Sequence, residues 1–237
     1  MITYVKPIKP PEQLLMLRSL VRRLPTKNPV IQNVRQKLSH VEAGYTGEKL
    51  LGKTFHHLFS DSNRYLIFHN IRLKSGSYFQ IDFIVLTAFY ALILENKHIN
   101  GSVHFGTLHQ FSRKIGPKID IFENPLDQCL RQEKLFSNFL ETQNFPFTYP
   151  VICRVILSSH NTKITASAEC REAVFQRVLR LEGLLSEIHA LNGRFTEPIL
   201  TSNQITRLSK TILHQHTPSW KSPLSTFDIK QKTLPGA

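Results

Sequence analysis

Cysteine is scarce in this 237-residue sequence: Cys129, Cys153 and Cys170 are odd in number and widely spaced. That excludes a disulfide scaffold and a CxxC zinc site, and it suits a reducing compartment. Glycine is also sparse. Its one candidate phosphate loop, Gly101-x-x-x-x-Gly106, lacks the following Lys-Ser or Lys-Thr. No nucleophile-elbow motif supports Ser/His/Asp catalysis. His56-His57 and His214-x-His216 are not spaced with cysteines or carboxylates as zinc ligands are. The longest mostly apolar run, residues 83–94, has twelve residues, where a membrane helix needs roughly 18 or more. The first ten residues hold no apolar stretch of the signal-peptide kind. The expectation is a soluble, cytoplasmic protein with no membrane span.

Acid is the other shortage. Seventeen Asp and Glu face thirty Lys and Arg, a formal net charge of +13. A polyanion partner fits that balance. The excess is uneven: residues 1–40 carry +7, 41–160 only +2 and 161–237 +4. The near-neutral middle holds most of the carboxylates.

Apolar spacing predicts a helix over 12–24, stopped by Pro25, and a second from an Asn28-Pro29 cap to about Ser39. Gly44 then separates this basic hairpin from a third helix over 45–59. Glu48 shares the apolar face of that helix with Leu51 and Phe55, and a carboxylate there needs a partner or a metal. After Asp61-Ser62-Asn63 the pattern predicts strands over 64–71, 78–86 and 90–96, with a fourth starting at 102–105. Residues 111–122 read as basic and irregular. Asn124-Pro125 caps a helix over 126–142. The apolar run 151–157 reads as a buried parallel strand. Helices over 168–191 and 203–214 follow, then a loosely ordered tail. The implied units are a basic helical segment 1–39, a central domain 40–160, helices over 161–216 and the tail 217–237.

The chemistry-bearing set is Glu48, Asp82, Glu95 and Lys97. If the second and third strands form a hairpin turning at Ala88-Phe89, paired residue numbers add to 177 and Asp82 faces Glu95. Period two puts Lys97 on the face of Glu95. Two facing carboxylates repel each other, and a hard divalent cation relieves that repulsion. The lysine would position water or neutralise developing phosphate charge.

The ordered series Gly44-x-x-Gly47-Glu48, Gln80-Ile81-Asp82, Glu95-Asn96-Lys97 with Gly101 after it, and Asn124-Pro125-x-x-Gln128 resembles the nuclease-related domain (NERD) family of the P-D-(D/E)-x-K nuclease-like superfamily. The resemblance covers about 40–160. It implies an α/β fold, a restriction-endonuclease-like mixed sheet flanked by helices, here with extra terminal helices. It implies Mg²⁺ or Mn²⁺ held by Asp82 and Glu95, a catalytic Lys97, and supporting roles for Glu48 and Gln128. Asn96 departs from the hydrophobic residue expected between Glu and Lys. The expected activity is hydrolysis of DNA or RNA phosphodiesters; the alternative is a catalytically inactive nucleic-acid-binding or scaffold protein on the same fold. Arg18, Arg22, Arg23, Lys27, Arg113, Lys114 and Lys118 are the candidate contacts to a nucleic acid backbone, whose recognition is sequence-independent.

Overall fold

The strands expected between 64 and 97 build the centre of the computed structural model, which describes residues 3–59, 64–218, 223–227 and 229. They are β2 (Leu66–Ser75), β3 (Ser77–Leu86) and β4 (Ala91–Lys97). The β3–β4 register pairs Leu86 with Ala91 and Phe83 with Leu94, the expected sum of 177. The apolar run Val151–Leu157 is β8, parallel to β4. Two strands not foreseen complete this sheet: β1 (Thr3–Lys6) and β10 (Val178–Arg180). Its order is β1-β2-β3-β4-β8-β10.

A second sheet follows from the same strands. β4 leads within a few residues into β5 (Gly101–Phe105), and β8 leads likewise into β9 (Thr162–Ala166). β5 and β9 pair in parallel, as β4 and β8 do. The segment expected to be irregular, 111–122, is instead a hairpin of β6 (Phe111–Ile115) and β7 (Lys118–Phe122), turning at Gly116-Pro117 and extending the order to β7-β6-β5-β9. Ile119 and Ile121 remain exposed on it. The alternation Lys118-Ile119-Asp120-Ile121 is short, and its apolar face stays in solvent rather than joining the core.

Helices cover both faces of the first sheet. On one side α3 (Pro125–Thr142) and α6 (Ser202–Gln215) pack Phe136, Phe139, Leu208 and Ile212 against Ile84, Ile93 and Val155. On the other, α2 (Ile31–Leu58) and α5 (Leu184–Arg194) pack Leu51, Phe55, Leu184 and Ile188 against Phe83, Leu92 and Leu94. This is the expected α/β architecture, a restriction-endonuclease-like mixed sheet flanked by helices, with further helices at both ends. Asn124 caps α3 as expected, its side chain accepting from the Leu126 N–H.

Two helical expectations need correction. The break at Gly44 does not exist: one helix runs from Ile31 to Leu58. The residue that needs to be glycine is Gly47, where a Cβ would lie 2.6 Å from His98 Cβ and 2.7 Å from Asn96 Nδ2. Glycine marks close packing of α2 on the sheet, at modest helical cost. The helix expected over 168–191 is divided into α4 (Arg171–Arg177), β10, a 3₁₀ turn and α5. Pairing of Val178–Arg180 with β8 outweighs local helical periodicity.

α1 (Glu12–Arg23) packs Leu17, Leu20 and Leu24 on Ile31 and Val34 of α2. In the segment expected to be a loose tail, Pro223–Thr226 form the short α7, and Leu224, Phe227 and Ile229 join that cluster. Residues 219–222, 228 and 230–237 of that segment, and the turn expected at Asp61-Ser62-Asn63, lie outside the described residues. Among the described residues no helix is long and apolar enough to cross a membrane.

Candidate active site

The ladder between β3 and β4 stops at Phe83 and Leu94, one pair short of Asp82 and Glu95. Past that point the strands part. The Asn96 N–H, instead of bonding to the opposite backbone, donates to Asp82 Oδ2 at 3.0 Å. Irregularity on the neighbouring strand lies at the same level. Asn70, opposite Asp82 in the β2–β3 register, has φ +52° and makes no pair. Lys6 Nζ donates to the His69 and Asn70 carbonyls at 2.7 and 2.8 Å.

Glu95 is buried, 1% exposed, with both oxygens engaged. Lys97 Nζ donates to Oε1 at 2.6 Å, and Gln132 Nε2 donates to Oε2 at 2.7 Å. Lys97 also donates to Gln128 Oε1 at 3.0 Å. Gln128 and Gln132 are one turn apart on α3 and face the sheet together. Gln132 was not anticipated; the Gln-x-x-x-Gln spacing from Gln128 is the signal that identifies it. Glu48 enters from α2, its Oε2 2.9 Å from Nε2 of the buried His69. The fold thus gathers Asp82, Glu95, Lys97 and Gln128, with Glu48 close enough to influence the charge of Asp82.

Burial raises the Asp82 carboxyl well above its ordinary range. The negative charge of Glu95 raises it further, and the Asn96 N–H and Lys97 offset this in part. For Lys97, burial favours the neutral amine, but attraction to Glu95 and Asp82 outweighs it, leaving the ammonium held above its usual range. Among the described residues no group of three His, Cys, Asp or Glu side chains gathers as a metal cage. The donor set is two repelling carboxylates, all oxygen. It fits Mg²⁺ or Mn²⁺, which accept one or two carboxylates and retain waters.

The basic residues expected to grip a polyanion are less well placed. Arg22, Arg23 and Lys27 are exposed around the far end of α1. That end packs near Val34, about 21 Å along α2 from Glu48. Arg18 pairs with Glu42 at 2.9 Å. On the β6–β7 hairpin, Asp120 pairs with Arg113 at 2.5 Å and with Lys118 at 3.1 Å, leaving Lys114 exposed at its tip.

Residues 43–158 match the family model of the nuclease-related domain (NERD). No curated protein matches the chain. Among solved structures, the crystal structure of protein VC1899 from Vibrio cholerae is similar at 11% identity and a TM-score of 0.36, too distant for argument. The match covers 86% of this chain and 43% of that protein, so this chain spans less than half its length.

Proposed function

Because residues 43–158 match the family model of the nuclease-related domain, we propose that this chain hydrolyses phosphodiester bonds of DNA or RNA where β3 and β4 part. The observation that carries this reading is the convergence of Asp82, Glu95 and Lys97 at that opening, with Lys97 held by both Glu95 and Gln128. Asp82 and Glu95 would hold Mg²⁺ or Mn²⁺. When bound, the ion would polarise the phosphate and lower the pKa of water. Lys97, as an ammonium, has only donors. It would therefore hold the attacking water or a phosphate oxygen and balance the charge that develops there. Gln128 fixes the Lys97 chain, Gln132 fixes Glu95, and Glu48 with His69 borders the site. The water oxygen bonds to phosphorus as it releases a proton to solvent, the bond to the leaving oxygen breaks, and that oxygen takes up a proton from solvent.

One observation favours the second reading, a nucleic-acid-binding module without turnover: both oxygens of Glu95 are already satisfied by Lys97 and Gln132. Cleavage of labelled single- and double-stranded DNA and RNA, with Mg²⁺, Mn²⁺ or EDTA, separates the two. Metal-dependent cutting by the wild type, lost in folded Asp82→Asn and Lys97→Met proteins, is the expected result. Nucleic acid binding without cutting, equal in all three proteins, would replace it with the binding module.

A further inference from the structure

A cleft of about 530 Å³ opens beside the site, between the segment leading from β1 into α1 and the edge of β2. Its walls come from both ends of the chain. Lys6, Lys9 and Glu12 line one side, His69, Arg72 and Gln80 the sheet side, and His216 the third. Only the sheet residues fall within the nuclease-related domain. The size suits a small ligand or one nucleotide unit.

The cleft adjoins the acidic site through two shared residues. His69 lines it while its ring contacts Glu48. Gln80 lines it and lies two residues from Asp82 on β3, about 7 Å along the strand.

Its charge is lopsided. Lys6, Lys9 and Arg72 face one carboxylate, Glu12, with His69 and His216 as further titratable groups. Lys6, Arg72 and His216 are placed by the fold. Lys6 is tied to β2 through the His69 and Asn70 carbonyls. Arg72 lies over the Tyr78 ring at 3.8 Å and reaches the Thr217 carbonyl with one nitrogen at 3.4 Å, leaving other donors of its fork uncommitted among the described residues. His216 Nδ1 accepts from the Arg72 N–H at 3.0 Å, fixing the carboxy-terminal wall. Lys9 is exposed and forms no ion pair among the described residues. The cations also disfavour one another. Burial and the charge of Lys9 lower Lys6, while burial and the charge of Lys6 lower His216. A phosphate between them removes that repulsion.

We infer that this cleft is a phosphate-binding pocket, built by the two ends of the chain, that holds a phosphate of the nucleic acid strand next to the bond to be cut. The inference rests on the proposed nuclease reading for its substrate class, but binding tests it without turnover. Lys6 and Lys9 on one wall and His216 on another lie outside the family match, while Arg72 lies within it, so the terminal segments complete the binding site. The pocket also displaces the far end of α1 as the principal polyanion contact.

The test is fluorescence-anisotropy binding of one single-stranded DNA and one RNA oligonucleotide, in EDTA, each with a 5′-phosphate, a 3′-phosphate or hydroxyl ends. Lys9→Glu and Arg72→Gln are compared with Arg22→Glu, all checked for folding by circular dichroism. The expected result is binding weakened about tenfold or more for each pocket variant, with Arg22→Glu near wild type. The salt slope should fall by about one for each phosphate no longer neutralised. Lys9 is exposed, so its variant tests binding even if Arg72→Gln disturbs the β2 edge. Tighter binding of one phosphorylated end, removed by the pocket variants, identifies a terminal phosphate as occupant. Equal binding of all ends, weakened alike by the pocket variants, identifies an internal one. Pocket variants that bind like wild type, or Arg22→Glu weakened as much as Lys9→Glu, overturn the inference. Cleavage with unaltered variant binding rejects the pocket and leaves the nuclease reading. Pocket-dependent binding without cleavage does the reverse.

Discussion

At the turn end of the β3–β4 hairpin, Thr87 Oγ1 accepts from the Phe89 and Tyr90 N–H groups and donates to the Tyr90 carbonyl. Tyr149 donates its hydroxyl to the Thr87 carbonyl at 2.6 Å, and Tyr90 reaches Asn192. The groups bonded in this network are neutral and matched, donor to acceptor, with the Arg64 guanidinium 4.1 Å from the Phe89 ring centroid. At the opposite end of the same two strands, Asp82 and Glu95 repel, and the ladder has already ended. The first arrangement stabilises the hairpin. The second is tolerated because Lys97, Gln132 and the Asn96 N–H partly neutralise it. Buried polar groups alone therefore do not identify a site; like charge only partly compensated at a parting of strands does.

Substitution at the two ends should separate activity from stability. The largest effect is expected from Asp82→Asn, which should lower metal-dependent cleavage by about 10²-fold or more, as removal of a key electrostatic partner does. In EDTA its thermal midpoint should equal or exceed that of wild type. A midpoint several degrees lower would show that the Asp82 charge stabilises the fold and would erase the contrast. Next comes Thr87→Val, which leaves the Phe89 and Tyr90 N–H groups without their acceptor. Chemical denaturation should show a loss of about 1–3 kcal/mol, with cleavage per folded molecule unchanged. The smallest effect concerns His98, beside the site, whose pKa burial lowers from 6.5. Its neutral form is the one favoured on folding, so its contribution is present above pH 6.5 and declines as pH falls below it. His98→Asn should flatten that decline in denaturation midpoints between pH 7 and 5. The turn end contributes no such acid-range slope, because burial raises Tyr149 well above its usual alkaline range.

The acidic constellation was legible because strand period and hairpin register are local quantities. Placing the turn at Ala88-Phe89 was enough to put Phe83 beside Leu94 and aim Asp82 toward Glu95. The end of the ladder at that point was not legible, since it shows in a tertiary contact, the Asn96 N–H to Asp82 Oδ2, rather than in strand pattern. β1 and β10 escaped for the same reason: each is short and exists through pairing with a remote strand. Dense charge in the sequence points to residues 18–27 and 113–118 as polyanion contacts. The cleft draws its cations from residues 6, 9 and 72, which only the folded chain brings together.

The early end of the β3–β4 ladder also separates two mechanical duties. Four pairs of buried residues, from Leu86 and Ala91 to Phe83 and Leu94, fix the grip of the hairpin. Beyond them Asp82 and Glu95 sit like the tips of tweezers. Each tip is carried by its other neighbour: Ile81, next to Asp82, pairs with Ile71 of β2, and Glu95 pairs with Val155 of β8. The spacing of the tips is therefore held by β2 and β8 as well as by the four pairs below them.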